Sequence, residues 1–99
     1  VMIGLGGIFI EVLKDVQPGL APLTAGEVDE MIGRLRGRKM LEGVRGQPGV
    51  NIAAWKELIL SVSNLVTAAP EIAELDLNPV MGLPDQVVAV DARIRIEKL

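Results

Sequence analysis

The sequence predicts an α+β fold, an antiparallel sheet with two helices on one face. Three observations predict it. Two stretches repeat apolar residues at helical spacing, and each begins with a capping residue, Thr24 or Asn51. An early stretch, Ile8 to Val16, is rich in β-branched residues. Near the end, two alternating stretches flank Leu83-Pro84-Asp85-Gln86, whose residues suit a four-residue hairpin loop. The order strand, helix, helix, strand, strand segregates the helices to one face of the sheet.

The opening run from Val1 to Ile10 is uncharged and contains the glycine cluster Gly4-Leu5-Gly6-Gly7. In the strand that follows, Ile8, Ile10, Val12 and Val16 share one face and Phe9, Glu11, Leu13 and Asp15 the other. Pro18-Gly19 marks a turn. Thr24 and Glu27 form a capping box for a first helix over residues 25–36, with the stripe Val28, Met31, Ile32 and Leu35. Arg34 and Arg36 fall in its last turn, and Gly37 is its C-cap. Gly43, Gly46, Pro48 and Gly49 make a loop holding Arg45. Asn51 caps a second helix with the stripe Trp55, Leu58, Ile59, Val62, Leu65 and Val66, and Pro70 stops it.

The last two stretches read as strands 74–80 and 86–96. In the first, Leu75 and Leu77 face opposite to Glu74, Asp76 and Asn78. In the second, Val88, Val90, Ala92, Ile94 and Ile96 face the core, with Val87, Ala89, Asp91, Arg93 and Arg95 opposite. A loop at 83–86 sets the register. Gly82 faces Val87, and further from the loop Asn78 faces Asp91 and Asp76 faces Arg93. An amide oxygen and a carboxylate across a strand pair can hold one hard cation. Mg²⁺ takes few oxygen ligands from protein and fills its shell with water and phosphate. The same pattern suits a solvated strand face with an Asp76–Arg93 ion pair. The glycine cluster also suits a turn or bulge, because it lacks the lysine of a phosphate-binding loop. Glu11 also suits an edge-strand charge, and Arg45 a solvated loop residue.

Composition bounds the function. Ninety-nine residues make one domain, with a folded surface of roughly 5,500 Å² if compact. There is no Cys and no His, which excludes disulfides, Ser–His–Asp catalysis and His-ligated zinc within the chain. Ten basic and thirteen acidic residues give a net charge of −3, the wrong sign for a general nucleic-acid binder. The opening apolar run is too short for a membrane helix and lacks the basic start of a signal peptide, so a cytoplasmic protein is expected. Beginning inside an apolar stretch, the chain reads as a piece of a longer protein. Val1 to Phe9 is expected to lack its strand partners, so that the isolated chain forms homo-oligomers through an open edge.

Gly4-Leu5-Gly6-Gly7-Ile8-Phe9-Ile10-Glu11-Val12-Leu13-Lys14-Asp15-Val16, followed by Leu20-Ala21-Pro22-Leu23, Leu41-Glu42-Gly43, Arg45-Gly46 and Pro48, resembles NDP-forming acyl-CoA synthetases. Glu74-Leu75-Asp76-Leu77-Asn78-Pro79 and Val88-Ala89-Val90-Asp91-Ala92-Arg93 are similar to the metal-binding end of that family's ATP-grasp domain, and related motifs close the nucleotide-binding subunit of succinyl-CoA synthetase. The resemblance implies that residues 1–99 are the C-terminal part of an ATP-grasp domain. It implies Asn78 and Asp91 as Mg²⁺ ligands and Asp76 as a carboxylate at the transfer site. It puts Glu11 and the Gly6–Gly7 backbone at the phosphate end of ATP or ADP, with Arg93 against phosphate charge. The implied partners are an N-terminal ATP-grasp lobe, a CoA-binding region and a phosphorylatable His, all outside this chain, and the piece alone is expected to be inactive. Family members carry an aromatic and a basic residue where Pro18 and Gly19 stand. That departure fits an alternative, a non-catalytic synthetase-like regulatory module of a GNAT-type protein acetyltransferase.

Overall fold

The computed structural model describes residues 1–5, 15–43 and 49–99. Strands β1 (Met2–Gly4) and β2 (Val16–Pro18) pair antiparallel. Helices α1 (Ala25–Gly33), α2 (Arg38–Leu41) and α3 (Ile52–Ala68) follow. The chain ends in β3 (Ile72–Leu77), β4 (Val80–Gly82), β5 (Val87–Ala89) and β6 (Ala92–Ile96), with β3 paired to β6 and β4 to β5. All three strand pairs are antiparallel, as the predicted α+β class requires. The expected strand 8–16 lies largely outside the described residues, as do Gly6, Gly7, Glu11 and Arg45.

Met2–Gly4 was expected to lack a partner. It instead faces Pro18, Gln17 and Val16, and Gly19 exchanges hydrogen bonds with Val1 at 2.7 Å in both directions. The predicted turn at Pro18-Gly19 is therefore the end of a paired strand. Gly19 also lies tight against the core. A Cβ there would come within 2.7 Å of the Met31 sulfur and 3.0 Å of Leu23 Cδ2.

Both bonds of the capping box form, from the Glu27 amide to Thr24 Oγ1 at 3.1 Å and from the Thr24 amide to Glu27 Oε1 at 3.0 Å. The helix nevertheless ends at Gly33, three residues before the predicted end, with Arg34 as its C-cap. The reason is a carboxylate. Asp15 accepts the Arg36 amide at 2.7 Å and the Gly37 amide at 2.8 Å, the donors a continuing helix would need. Arg34 and Arg36 thus fall outside the last turn, and Gly37 becomes the N-cap of the short α2 rather than the C-cap of α1. In α3, Asn51 Oδ1 accepts the Ala54 amide at 3.0 Å, as its position predicts.

The core is Ile3, Leu23, Val28, Met31, Leu35, Leu41 and Ile59, all buried. It gathers the predicted stripe of α1 against β1, α2 and α3. Helix α3 turns Ile59 and Ser63 inward, and the buried Ser63 hydroxyl accepts the Leu23 amide at 2.7 Å. Lys56 and Asp29 tie α3 to α1 by an ion pair at 2.6 Å. The C-terminal hairpin contributes nothing to this buried set. The molecule is accordingly elongated, 49 × 28 × 23 Å, with 7139 Å² of accessible surface, above the value for a compact protein of this size.

Val90, Ile94 and Ile96, expected to face the core, are 61%, 53% and 69% exposed, and Val88 is 40% exposed. Their strands stand beyond the helices. Val28 and Val90 should therefore respond differently to truncation. Val28→Ala should lower stability by about 1–3 kcal/mol and Val90→Ala by less than about 0.5 kcal/mol, read from chemical-denaturation midpoints.

Candidate phosphate and metal site

The hairpin has the register that its loop predicts. Gly82 faces Val87, Met81 faces Val88 and Val80 faces Ala89. Beyond the gap, Leu77 faces Ala92, Asp76 faces Arg93, Leu75 faces Ile94 and Glu74 faces Arg95. The loop closes with the Leu83 amide donating to the Gln86 carbonyl at 2.9 Å. A bulge at Ala73 shifts the register only at the far end, where Ile72 faces Ile96.

Asn78 and Asp91 lie between the two ladders. The Asn78 amide donates to the Asp91 carbonyl at 3.2 Å, and the Val90 amide donates to the Pro79 carbonyl at 2.9 Å. The Asn78–Pro79 peptide is cis. Pro79 has no N–H for the ladder, so β3 and β4 are separate strands. The side-chain alternation also changes phase here. Leu75 and Leu77 are half-buried in β3, whereas Val80 in β4 and Val87 in β5 are the half-buried residues beyond the break. The register is nonetheless the same on both sides of the break, and Val87, facing Gly82, is half-buried where Val88 was expected to turn inward.

The hairpin tip is docked. Gly82 lies under Val50, where a Cβ would meet both Val50 methyl groups at 2.7 Å. The Asn51 amide donates to the Leu83 carbonyl at 2.8 Å. A cleft of about 600 Å³ lies between β1, the Trp55–Leu58–Val62–Val66 side of α3 and the hairpin, and its lining includes Asp76 and Asn78. The strand with the candidate ligands therefore forms the polar rim of an otherwise apolar space.

Asp76, Asn78, Asp91 and Arg93 are all exposed. Arg93 Nε lies 3.9 Å from Asp91 Oδ2, so its ion pair is with its strand neighbour and not with Asp76 opposite. The other Asp91 oxygen accepts the Ala92 amide at 3.0 Å. Further along, Arg95 bridges Glu97 and Glu74, which together hold its guanidinium still more firmly protonated. The structure thus brings Asn78 and Asp91 opposite one another, with Asp76 and Arg93 as the next facing pair. Gly6, Gly7 and Glu11 lie outside the described residues. Among the described residues no three acidic side chains cluster as a metal site, so a pair of oxygen-bearing residues at this exposed rim suits only a cation that keeps most of its ligands as water and phosphate. Among the described residues, no helix is long and apolar enough to cross a membrane.

The model of the ATP-grasp domain family matches residues 1–96. The chain belongs to the ATP-grasp family. This ATP-grasp chain is 46% identical over 94 residues to the beta subunit of the ADP-forming acetate–CoA ligase I of Pyrococcus furiosus, covering 95% of the chain and 40% of that subunit. It is 40% identical over 94 residues to the ADP-forming acetate–CoA ligase I of Archaeoglobus fulgidus, covering 95% of the chain and 14% of that protein. Among solved structures it superimposes on the dinucleotide-forming acetyl-coenzyme A synthetase 1 of Ca. Korarchaeum cryptofilum with a TM-score of 0.91 and 40% identity, over 97% of this chain and 45% of that one. That synthetase was solved with coenzyme A and Mg-AMPPCP, its phosphohistidine segment pointing towards the nucleotide binding site. The resemblance to NDP-forming acyl-CoA synthetases is thus borne out.

Sequence reasoning missed Asp15 as a buried residue. Its partners lie 21 and 22 residues away, and no local pattern signals them. Docking of the tip supplies a test. Gly82→Val should lift the loop off Val50 and speed hydrogen exchange at the Asn51 amide by at least about tenfold, the loss of one hydrogen bond. Unchanged protection would mean that the tip is held elsewhere.

Proposed function

We propose that this chain is the metal- and phosphate-holding part of an ADP-forming acyl-CoA synthetase, an acid–thiol ligase. The observation that supports the reading is the hairpin register, in which the Asn78 main-chain amide bonds the Asp91 main-chain carbonyl and both residues are exposed. Close similarity to ADP-forming acetate–CoA ligases supports it. The remaining functions, an upstream ATP-grasp lobe, CoA binding and a phosphorylatable His, belong to other parts of a longer protein.

In this reading Asn78 and Asp91 would hold Mg²⁺ at the phosphate end of ATP or ADP. When bound, Mg²⁺ neutralises charge on the phosphoryl group passing between the nucleotide and the His. Asp91 contributes a formal negative charge to the metal and Asn78 a neutral oxygen. Asp76, two residues before Asn78 on the same strand, supplies a carboxylate at the transfer point. Arg93 brings a guanidinium to the rim beside Asp91, free to meet phosphate charge once a cation occupies that carboxylate. Gly6 and Gly7 offer backbone amides to phosphate oxygens, and Glu11 a second carboxylate at that end.

The test uses the longer protein. Asp91→Ala should lower Mg²⁺-dependent phosphoenzyme formation from labelled ATP by about 10²–10³-fold, and Asn78→Ala by less, each ~1.4 kcal/mol of barrier being tenfold in rate. Both residues are exposed, so thermal melts should stay within about 0.5 kcal/mol of wild type. Wild-type phosphorylation in Asp91→Ala would refute the metal assignment.

A further inference from the structure

Two arginines of β6 differ in how firmly they are held. Arg95 Nη2 lies 3.2 Å from Glu74 Oε1, and its Nη1 is bonded to Glu97 as well. Arg93 has one ion-pair partner among the described residues, with Nε 3.9 Å from Asp91 Oδ2, and its side chain is 83% exposed against 51% for Arg95. We infer that the Asp91–Arg93 pair is a latch that makes the rim select a metal–polyphosphate complex over either component alone. That Asp91 takes a metal rests on the proposed function; the ion pair itself does not.

Asp91 divides its two oxygens. Oδ1 accepts the Ala92 amide at 3.0 Å, which fixes the carboxylate against the start of β6, and Oδ2 is the oxygen turned to Arg93. Asp76 faces Arg93 across the ladder, yet the guanidinium pairs with Asp91. A cation arriving alone at Asp91 therefore meets the positive charge of Arg93. A polyphosphate arriving alone at Arg93 meets the negative charge of Asp91. Each component by itself must break the pair and leave one member without a partner. A metal–polyphosphate complex satisfies both members at once, with the cation at Asp91 and the phosphate at Arg93.

The coupling is reciprocal. Whatever factor the metal adds to phosphate affinity, phosphate adds to metal affinity. An exposed ion pair is weak, so the factor is small, about two- to fivefold. Weakness suits the role, because the pair opens without disturbing buried packing. Arg95 could not serve in the same way, since Glu74 and Glu97 would both have to release it.

Binding to this chain tests the latch with Mn²⁺ alone, inorganic tripolyphosphate alone, and the two together. It is read from the Asn78 and Ala92 amide resonances at low ionic strength, where the pair is least screened. Arg93→Gln should bind Mn²⁺ alone about two- to fivefold more tightly than wild type, and Mn²⁺–tripolyphosphate less tightly. Asp91→Asn keeps an oxygen for the Ala92 amide and should bind tripolyphosphate alone about two- to fivefold more tightly. Asp76→Asn removes the same charge opposite Arg93 without touching the pair, and should change that affinity by less. Equal gains in the two carboxylate variants would mean general repulsion and overturn the latch. Unchanged or weaker Mn²⁺ binding in Arg93→Gln, beside a wild type that binds Mn²⁺, would overturn it too. If Mn²⁺ leaves both amides of the wild type unaffected, the metal assignment fails and the selection of a complex with it. The tripolyphosphate comparison then still decides whether Asp91 restrains Arg93.

Discussion

The antiparallel register of the C-terminal hairpin is the constraint on which the candidate site depends. A slip of one residue would set Asn78 opposite Val90 or Ala92 and leave no oxygen ligand facing it. Three features resist that slip. The loop closes through Leu83 and Gln86, its carbonyl at Leu83 is held by Asn51, and Gly82 fits beneath Val50. The register is the same on both sides of the break at Asn78–Pro79 and shifts only at the far end, where Ala73 bulges out of the ladder.

Local rules made much of this legible in the sequence. Capping by Thr24 and Asn51 depends on residues three positions away, and both caps form as their spacing requires. The register followed from the loop length alone. The inward face of the hairpin did not, because alternation fails at Pro79, beyond which Val80 is the half-buried residue, and β6 is exposed throughout. The end of α1 was hidden for a different reason. Its stripe continues to Leu35, which is indeed buried, but the amides that would extend the helix are taken by Asp15, the residue before β2. Ser63 carries no local signal in the sequence, yet it is fully buried as the acceptor for Leu23. In each case a side chain captured backbone donors from a distant segment.

The departure at Pro18 and Gly19 acquires a physical sense from the packing. Gly19 is held by two hydrogen bonds to Val1 and lies against Met31 and Leu23. A long basic side chain at this position would need Met31 to move. The basic residue that the resemblance leads one to expect here has no room in this arrangement, and Arg93 stands at the polar rim instead. Its neighbour Asp91 both anchors it and competes with phosphate for it, so a cation bound at Asp91 would loosen the ion pair and free the guanidinium.

Burial stabilises the helical half of the molecule and the strand half only weakly. Leu75 and Ile72 are half-buried, yet Ile94 and Ile96 opposite them are mostly exposed, so each cross-strand apolar pair is covered on one side. The hairpin is held instead by its backbone ladder and its docked tip. Between the two ladders, around Asn78 and Asp91, two backbone bonds join the strands and both side chains are exposed. A cation bridging these two side chains would cross-link the strands at that point. The ligand site would then be the place where nucleotide binding stiffens the hairpin most, coupling the occupancy of the rim to the order of the strands that form it.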